Sequence, residues 1–384
     1  LTRRSQIPAV PFNWSLVIYR WSFVILAAIG IVFSQVACDE LNLDFLDESH
    51  TVTETVSGDW IRVYFTSSRY PDDDGYHYGG LDEELVSVIE GAETRVDVVA
   101  YDFDLESVAD ALIAAHRQDV QVRVVVESDN ADEEAVAHLQ QAGIPVVKDG
   151  RSSGLMHDKF VVIDGQWVWT GSWNLTENGT YRNNNNAVLI TSTALAENYS
   201  AEFEEMFAGQ FGPTSPADTP NPRVIVTIET DEGQERQVEV ENTFAPEEEV
   251  AARIIAEIEG AQSRIRFLTF IFTSDEIADA MLERARAGVV VQGVMESRNA
   301  KREYSQYKRL LAEVHDVLLD GNPYIMHHKV IIVDDATVIL GSYNFTASAE
   351  EKNDENLLII HDPEVAALFV AEFGRVYEQA RTTD

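Results

Sequence analysis

The sequence predicts a duplicated α/β protein, two lobes built from one repeated unit of alternating strands and helices. Three observations carry this reading. The stretch "EGAETRVDVVAYDFDLESVADALIAAHRQDVQVRVVVESDN" from Glu90 aligns with "EGAQSRIRFLTFIFTSDEIADAMLERARAGVVVQGVMESRN" from Glu259, at an offset of 169 between Glu127 and Glu296. A second stretch, "MHDKFVVIDGQWVWTGSWNLT" from Met156, returns as "MHHKVIIVDDATVILGSYNFT" from Met326, where the offset has grown only to 170. Each copy also passes from a β-branched run to helical spacing and back, the order of an α/β sheet.

Taken in order, Val96 to Phe103 is β-branched and aromatic, as a strand should be. Leu105, Val108, Ala109 and Leu112 recur at helical spacing through Arg117, and Val120 to Val126 is strand again. The second copy has its strand at Ile265 to Phe272 and its helix at Asp275 to Ala287. Gly288 then stands where a helix-ending glycine belongs, and the first copy has Asp119 there. Between the halves, "GPTSPADTPNP" (212–222) holds four prolines and reads as an extended linker. The following "VIVTIETDEGQERQVEV" reads as a hairpin turning near Glu232-Gly233. The expected domains are therefore 57–211 and 223–384, with 39–56 an acidic tether.

Composition narrows the function. With 45% hydrophobic and 24% charged residues the 384-residue chain is globular. Its net charge of −38, from 28 basic against 66 acidic residues, argues against general nucleic-acid affinity, which draws on clustered basic side chains. A small positive cleft within an acidic shell remains compatible with it. The single cysteine, Cys38, excludes an intrachain disulfide. It directly follows the apolar run "SFVILAAIGIVFSQVA", which is preceded by Arg3, Arg4 and Arg20, the pattern of an export segment spanning 1–38. That run is shorter than the roughly 20 residues that span a bilayer comfortably. It resembles a bacterial lipoprotein signal with Cys38 as the lipidation site, although Gln35 departs from the usual aliphatic residue. An uncleaved signal anchor and simple secretion are the alternatives, and all three place the lobes outside the cytoplasm.

The chemistry lies in the repeated stretch. Residues two apart on a strand face one side, so His157 pairs with Lys159 and His327 with Lys329. Asp164 comes seven residues after His157, an odd step, and reads as closing a turn with Gly165; Asp334-Asp335 does the same in the second copy. Gly171-Ser172-Trp173-Asn174 and Gly341-Ser342-Tyr343-Asn344 offer close backbone approach and neutral donors. A duplication can bring matching residues together across a pseudo-two-fold. Two histidines would then face one pocket with two ammonium groups and several amide or hydroxyl donors, a setting that suits a phosphodiester. One imidazole would attack phosphorus and the other protonate the leaving oxygen. No cluster in the sequence has metal-ligand spacing.

Both copies resemble the phospholipase D superfamily, whose signature is H-x-K-x(4)-D followed by G-S-x-N. The matching residues are His157, Lys159, Asp164, Gly171, Ser172 and Asn174, then His327, Lys329, Asp334, Gly341, Ser342 and Asn344. The resemblance covers nearly the whole chain after residue 56. It implies two α/β/α domains sharing one active site at their interface, a covalent phosphohistidine intermediate and no metal or other cofactor. It places Asp164 and Asp334 in the catalytic set and implies that Ser172, Asn174, Ser342 and Asn344 bind or orient phosphate. The family commonly carries an acid downstream that orients the histidine. "KNDENLLII" supplies Glu355, whereas the aligned "RNNNNAVLI" has Asn185. Paired within its own copy, Glu355 would back His327 as general acid, leaving His157 as neutral nucleophile, the role the family gives the N-terminal histidine.

An apolar or lipidated N-terminus and the acidic surface together favour a phospholipid head group at a membrane surface as substrate. A secreted or periplasmic endonuclease acting on nucleic acid is the alternative reading, and an inactive scaffold the third; no protein partner is expected. Elsewhere, the loop Ser67 to Gly80 reads as a cleft edge, with a calcium site as the rival view. Trp167, Trp169 and Trp173 read as strand core, His116 and His315 as helix-surface residues, and His50 and His361 have no evident partner.

Overall fold

The computed structural model describes residues 51–57, 59–229 and 235–383; the export segment, Cys38, His50 and residues 39–50 of the tether lie outside the described residues. The sixteen strands run in chain order as β1 (Thr51–Ser57), β2 (Ile61–Phe65), β3 (Arg95–Ala100), β4 (Gln121–Val126), β5 (Val146–Lys148), β6 (Lys159–Ile163), β7 (Trp167–Gly171), β8 (Asn186–Thr191), β9 (Arg223–Glu229), β10 (Glu235–Ala245), β11 (Arg264–Thr269), β12 (Val290–Met295), β13 (Val317–Leu319), β14 (Lys329–Val333), β15 (Thr337–Gly341) and β16 (Glu355–His361). They form two sheets, one ordered β2-β8-β7-β6-β3-β4-β5 and one ordered β1-β9-β10-β16-β15-β14-β11-β12-β13. The shared core of both is the same: β3 and β11 lie parallel to the strand that follows their helix, and antiparallel to the strand that carries His-x-Lys. The predicted duplication is thus a repeat of sheet topology.

Strand alternation decides what each face buries. On β6, Phe160 and Val162 enter an apolar cluster shared by both lobes, while Val161 and Ile163 enter the first lobe's outer cluster. On β14, Val330 and Ile332 join the shared cluster, and Ile331 and Val333 the second lobe's outer one. The shared cluster is filled from the helices Thr193–Phe207 and Pro363–Thr383 by Tyr199, Phe203, Phe369 and Phe373. Each sheet is therefore covered on both faces, as expected of α/β/α lobes, and a continuous core fuses the lobes back to back. Helices Glu106–Arg117 and Asp275–Arg286 sit where their spacing places them, and each is followed by a left-handed residue, Asp119 (φ 66°) or Gly288 (φ 99°).

Two boundaries differ from expectation. Residues 51–56, assigned to the tether, belong to strand Thr51–Ser57, which pairs in parallel with β9 in the second lobe's sheet. Its Glu54 reads as tether-like acidity, yet the carboxylate accepts from the backbone N–H groups of Thr193 and Ala194 and so caps a helix of the first lobe. The proline-rich segment 212–222 is pinned at both ends: Phe211 and Gly212 are buried, the Gly212 N–H donates to Asp354 at 2.5 Å, and Asn221 exchanges hydrogen bonds with Asn198. The hairpin is confirmed by antiparallel pairing of β9 with β10, its turn lying outside the described residues.

Candidate active site

The two copies of His-x-Lys meet because each lead-in strand crosses to the opposite lobe. Met156 bridges Asp354 and Met326 bridges Asn184. The His157 N–H donates to the Asp354 carbonyl at 3.0 Å and the His327 N–H to the Asn184 carbonyl at 2.9 Å. Both histidines, 7% exposed, line one cavity of about 810 Å³ together with Asn174 and Asn344.

The crossing sets what stands behind each imidazole, and it corrects the pairing expected from the sequence. Glu355 backs His157, not His327: its Oε2 lies 2.7 Å from His157 Nδ1. His327 Nδ1 instead faces the Ser172 carbonyl at 3.0 Å and Asn185 Oδ1 at 2.9 Å. Pairing within one copy fails because residues 184–186 and 354–356 emerge beside the other lobe's motif. Both rings face acceptors at Nδ1, so Nδ1 holds the proton and Nε2 carries the free lone pair. The Asn185 orientation is fixed by its amide donating to the Gly179 carbonyl at 2.9 Å.

Ser172 and Ser342 are fully buried and act one layer behind. Ser342 Oγ donates to Glu355 at 2.8 Å and Ser172 Oγ to Asn185 at 2.9 Å, so each serine holds the group that orients a histidine. Lys159 and Lys329 donate to the carbonyls of His157 and His327, at 2.5 and 2.8 Å, and lie over the rings of Tyr101 and Phe270. Lys329 Nζ also lies 3.3 Å from His327 Nε2.

Burial dominates the electrostatics. It pushes the Glu355 carboxyl up to about 7, against the pull of Lys159, and the Lys159 ammonium down to about 8. Burial, and then the two neighbouring lysines, hold both imidazoles well below the ordinary histidine range. Lys329 is likewise depressed, by burial and then by Lys159. A bound anion relieves the repulsion between these cations, so the cavity favours a phosphodiester and protonation of the histidine beside it.

Asp164 and Asp334 do not reach the cavity. Asp164 accepts from the N–H groups of Glu93, Thr94 and Arg95, and Asp334 from those of Gln262, Ser263 and Arg264. Each sits past the far end of a five-residue strand, roughly 16 Å along it from the lysine. Their place in the catalytic set is therefore corrected to turn closure, which their left-handed φ of 53° and 52° supports. The N–H donors hold Asp334 down at about 2 and Asp164 below its usual range, although burial opposes this.

Sequence reasoning missed several residues of the site. Asn356 joins Asp158 at 2.6 Å, and His328 joins Asn186 and Glu372, both at 3.0 Å. Tyr101 and Phe270 pack on His157 and His327 with ring centroids 4.7 and 4.6 Å apart. Their signal was their aligned position, at the end of the first strand of each copy. Trp169 and Trp173 are buried core, His116 lies half-buried on its helix, and His315 is a left-handed residue ending Tyr307–Val314. His361 bonds Thr337 at 3.0 Å.

Two groups among the described residues place metal-type ligand atoms together, Asp72, Asp74, His77 and Glu177 in one and Glu239, Glu241 and His361 in the other. Neither lines the cavity between the histidines. Arg182 pairs with Asp72 and Glu177, and Arg223 with Glu239 and Glu241, so each group already holds a guanidinium among its acids. The loop 67–80 forms a cleft edge, with Asp72 N–H donating to the cavity-lining Tyr324 at 2.9 Å.

The profile of the cardiolipin synthase, phospholipase D-like domain family matches residues 85–207 and again 254–377. The chain belongs to the phospholipase D superfamily. A mitochondrial cardiolipin hydrolase of Xenopus laevis is 35% identical over 133 residues, covering 34% of this chain and 63% of that protein. A phospholipase D of Rickettsia prowazekii is 33% identical over 131 residues, covering 34% of this chain and 64% of that protein. The chain thus spans somewhat under two-thirds of these curated relatives. The phosphatidylserine synthase of Haemophilus influenzae superposes with a TM-score of 0.58 at 15% identity, over 84% of this chain and 86% of that one, a likeness of fold across both lobes.

Proposed function

We propose that this superfamily member is a phospholipase D-type phosphodiesterase that cleaves or transfers the head group of a phospholipid. The observation that carries the reading is two imidazoles lining one cavity with the amides of Asn174 and Asn344, each followed by a buried lysine that donates to its backbone carbonyl, and only one of them backed by a carboxylate. In this mechanism His157 Nε2 attacks phosphorus. The phosphorus–oxygen bond to the head group breaks, and the His327 Nε2 proton passes to the departing oxygen. The ring gains positive charge as the N–P bond forms, and Glu355 at its Nδ1 stabilises that charge. His327 then takes a proton from water or an acceptor alcohol, whose oxygen displaces His157 and releases the phosphatidyl product. Lys159 and Lys329 hold the non-bridging oxygens. The roles expected from the sequence are kept, but for the opposite reason: the carboxylate belongs behind the nucleophile.

Export and attachment through Cys38 form part of this proposal and would hold the site at a membrane; no helix among the described residues is long and apolar enough to cross one. Assay of the protein on phosphatidylcholine and phosphatidylglycerol vesicles and on plasmid DNA, in the presence of chelator, tests the reading. Head-group release supports it, whereas plasmid cleavage without lipid turnover assigns the site to nucleic acid. The absence of both leaves a binding protein.

A further inference from the structure

The pseudo-two-fold that makes the two histidines equivalent does not extend to the charges around them. After the equivalent strands β4 and β12, both lobes continue with Ser-x-Asn-Ala, at Ser128 and Ser297. In the first lobe the run is "SDNADEEAVAHLQ", with four acids and neither lysine nor arginine; in the second it is "SRNAKREYSQYKR", with five basic residues and one acid. In a chain of net charge −38, this is a marked local inversion.

The second run is fastened to the cleft mouth at both ends. Arg298 lines the cavity and donates to the Pro323 carbonyl at 3.2 Å. At the other end the Gln306 N–H donates to the Phe272 carbonyl at 3.0 Å, and its side chain to the carbonyl of cavity-lining Thr273 at 3.2 Å. Lys301, Arg302 and Tyr304 project between these anchors, Tyr304 being 79% exposed. Lys301 and Arg302 form no ion pair among the described residues, whereas Arg309 of the same run is taken up by Asp275 and Asp279. Next to Pro323, cavity-lining Tyr324 packs against Tyr70 of the loop 67–80, which presents Tyr70 and Tyr78, 68% and 67% exposed. Basic side chains beside exposed tyrosines suit an interface where a negative surface meets an apolar layer.

We propose that the segment Arg298–Tyr304, with Tyr70 and Tyr78 of the adjoining loop, is a docking site for an anionic phospholipid surface, which seats the second lobe's side of the cleft on the membrane. The distant acidic shell does not overrule it, because exposed charges are screened beyond about 8 Å at physiological ionic strength. The acidic run at Ser128 turns the first lobe's side away. This rests on the phospholipid reading only for its biological sense; the binding itself is measured without turnover.

The test uses the full chain, Lys301→Glu/Arg302→Glu and Tyr304→Ala, with vesicles of phosphatidylcholine alone or with added phosphatidylglycerol. An N-terminal anchor, with Arg3, Arg4 and Arg20 beside it, contributes equally to wild type and variants, so the read quantity is the change between them in the gain from the anionic lipid. Each basic side chain near an anionic surface contributes roughly fivefold to partitioning, so the double reversal should cost at least about 20-fold of that gain, and high salt should erase the difference. Tyr304→Ala should weaken binding to both vesicles. Turnover of a monomeric short-chain phospholipid should stay at the wild-type rate in both variants. An unchanged anionic gain in the double reversal overturns the proposal, as does loss of plasmid DNA binding with vesicle binding intact. If no phospholipid is turned over but the anionic gain still depends on Lys301 and Arg302, the docking site stands and the phospholipase reading falls.

Discussion

Replacing Glu355 by Gln probes the carboxylate that the crossing of the lobes places behind His157. The amide keeps the size and one acceptor toward Nδ1 but removes a charge whose oxygen lies 2.7 Å from Nδ1 of the ring that becomes cationic on attack, a separation of roughly 4 Å between charge centres. At an effective dielectric of about 20 that charge contributes about 4 kcal/mol, of which a neutral hydrogen bond retains about 1. The remaining ~3 kcal/mol corresponds to roughly two orders of magnitude in the rate of phosphoenzyme formation. Single-turnover kinetics on a chromogenic phosphodiester reads that step directly. The pH profile supplies a second signature. Burial raises Glu355 from the carboxylate range to about 7, so it is ionised above that pH and protonated below it. Wild-type activity should therefore fall as pH drops through about 7, and the Gln variant should lose that limb. A variant within a few-fold of wild type, with the acid limb intact, would refute the assignment of Glu355 to the nucleophile.

His327→Ala should abolish head-group release from natural lipids yet form phosphoenzyme from a p-nitrophenyl diester, whose leaving group requires no proton; rapid quench with mass spectrometry reads both. Asp164→Asn and Asp334→Asn should each cost about 1–2 kcal/mol of stability in denaturant melts, through weakened bonds to three backbone N–H groups, while kcat stays within a few-fold. The thermal midpoint should fall as pH rises from about 5 to 8. Burial raises Glu205, Asp354 and Glu355 to about 7 and Glu247 to about 8, so the folded state holds protons the unfolded chain has released, and it loses them over that interval. A midpoint that climbs across this range would contradict the burial of those groups as acids.

The repeat, the α/β order and the convergence of His157, Lys159, His327 and Lys329 were legible because each follows from local period or from symmetry between two copies. The odd step from His157 to Asp164 already pointed to a turn, and the residue-level reading of that acid outlasted the family's grouping of it with the histidines. The Glu355 pairing was not legible. It depends on Met156 bridging Asp354 across the lobes, a contact between residues nearly two hundred apart that leaves no trace in spacing. Thr51–Ser57 was misread because Glu54 breaks its alternation, and only the helix beginning at Thr193 gives that acid a reason to be there. The fused core was equally hidden, since helices Thr193–Phe207 and Pro363–Thr383 carry no mark of which sheet they will cover.

Trapping the covalent intermediate tests the account most directly. Acid-stable quench is unsuitable for a phosphoramidate, so the adduct is captured at alkaline pH during turnover of a slow diester and mapped by peptide mass spectrometry. The account predicts the phosphoryl group, with the diester's retained ester substituent, on His157 at Nε2, lost in His157→Ala and depleted in Glu355→Gln. The same adduct on His327, or turnover with no adduct on either histidine, would contradict it.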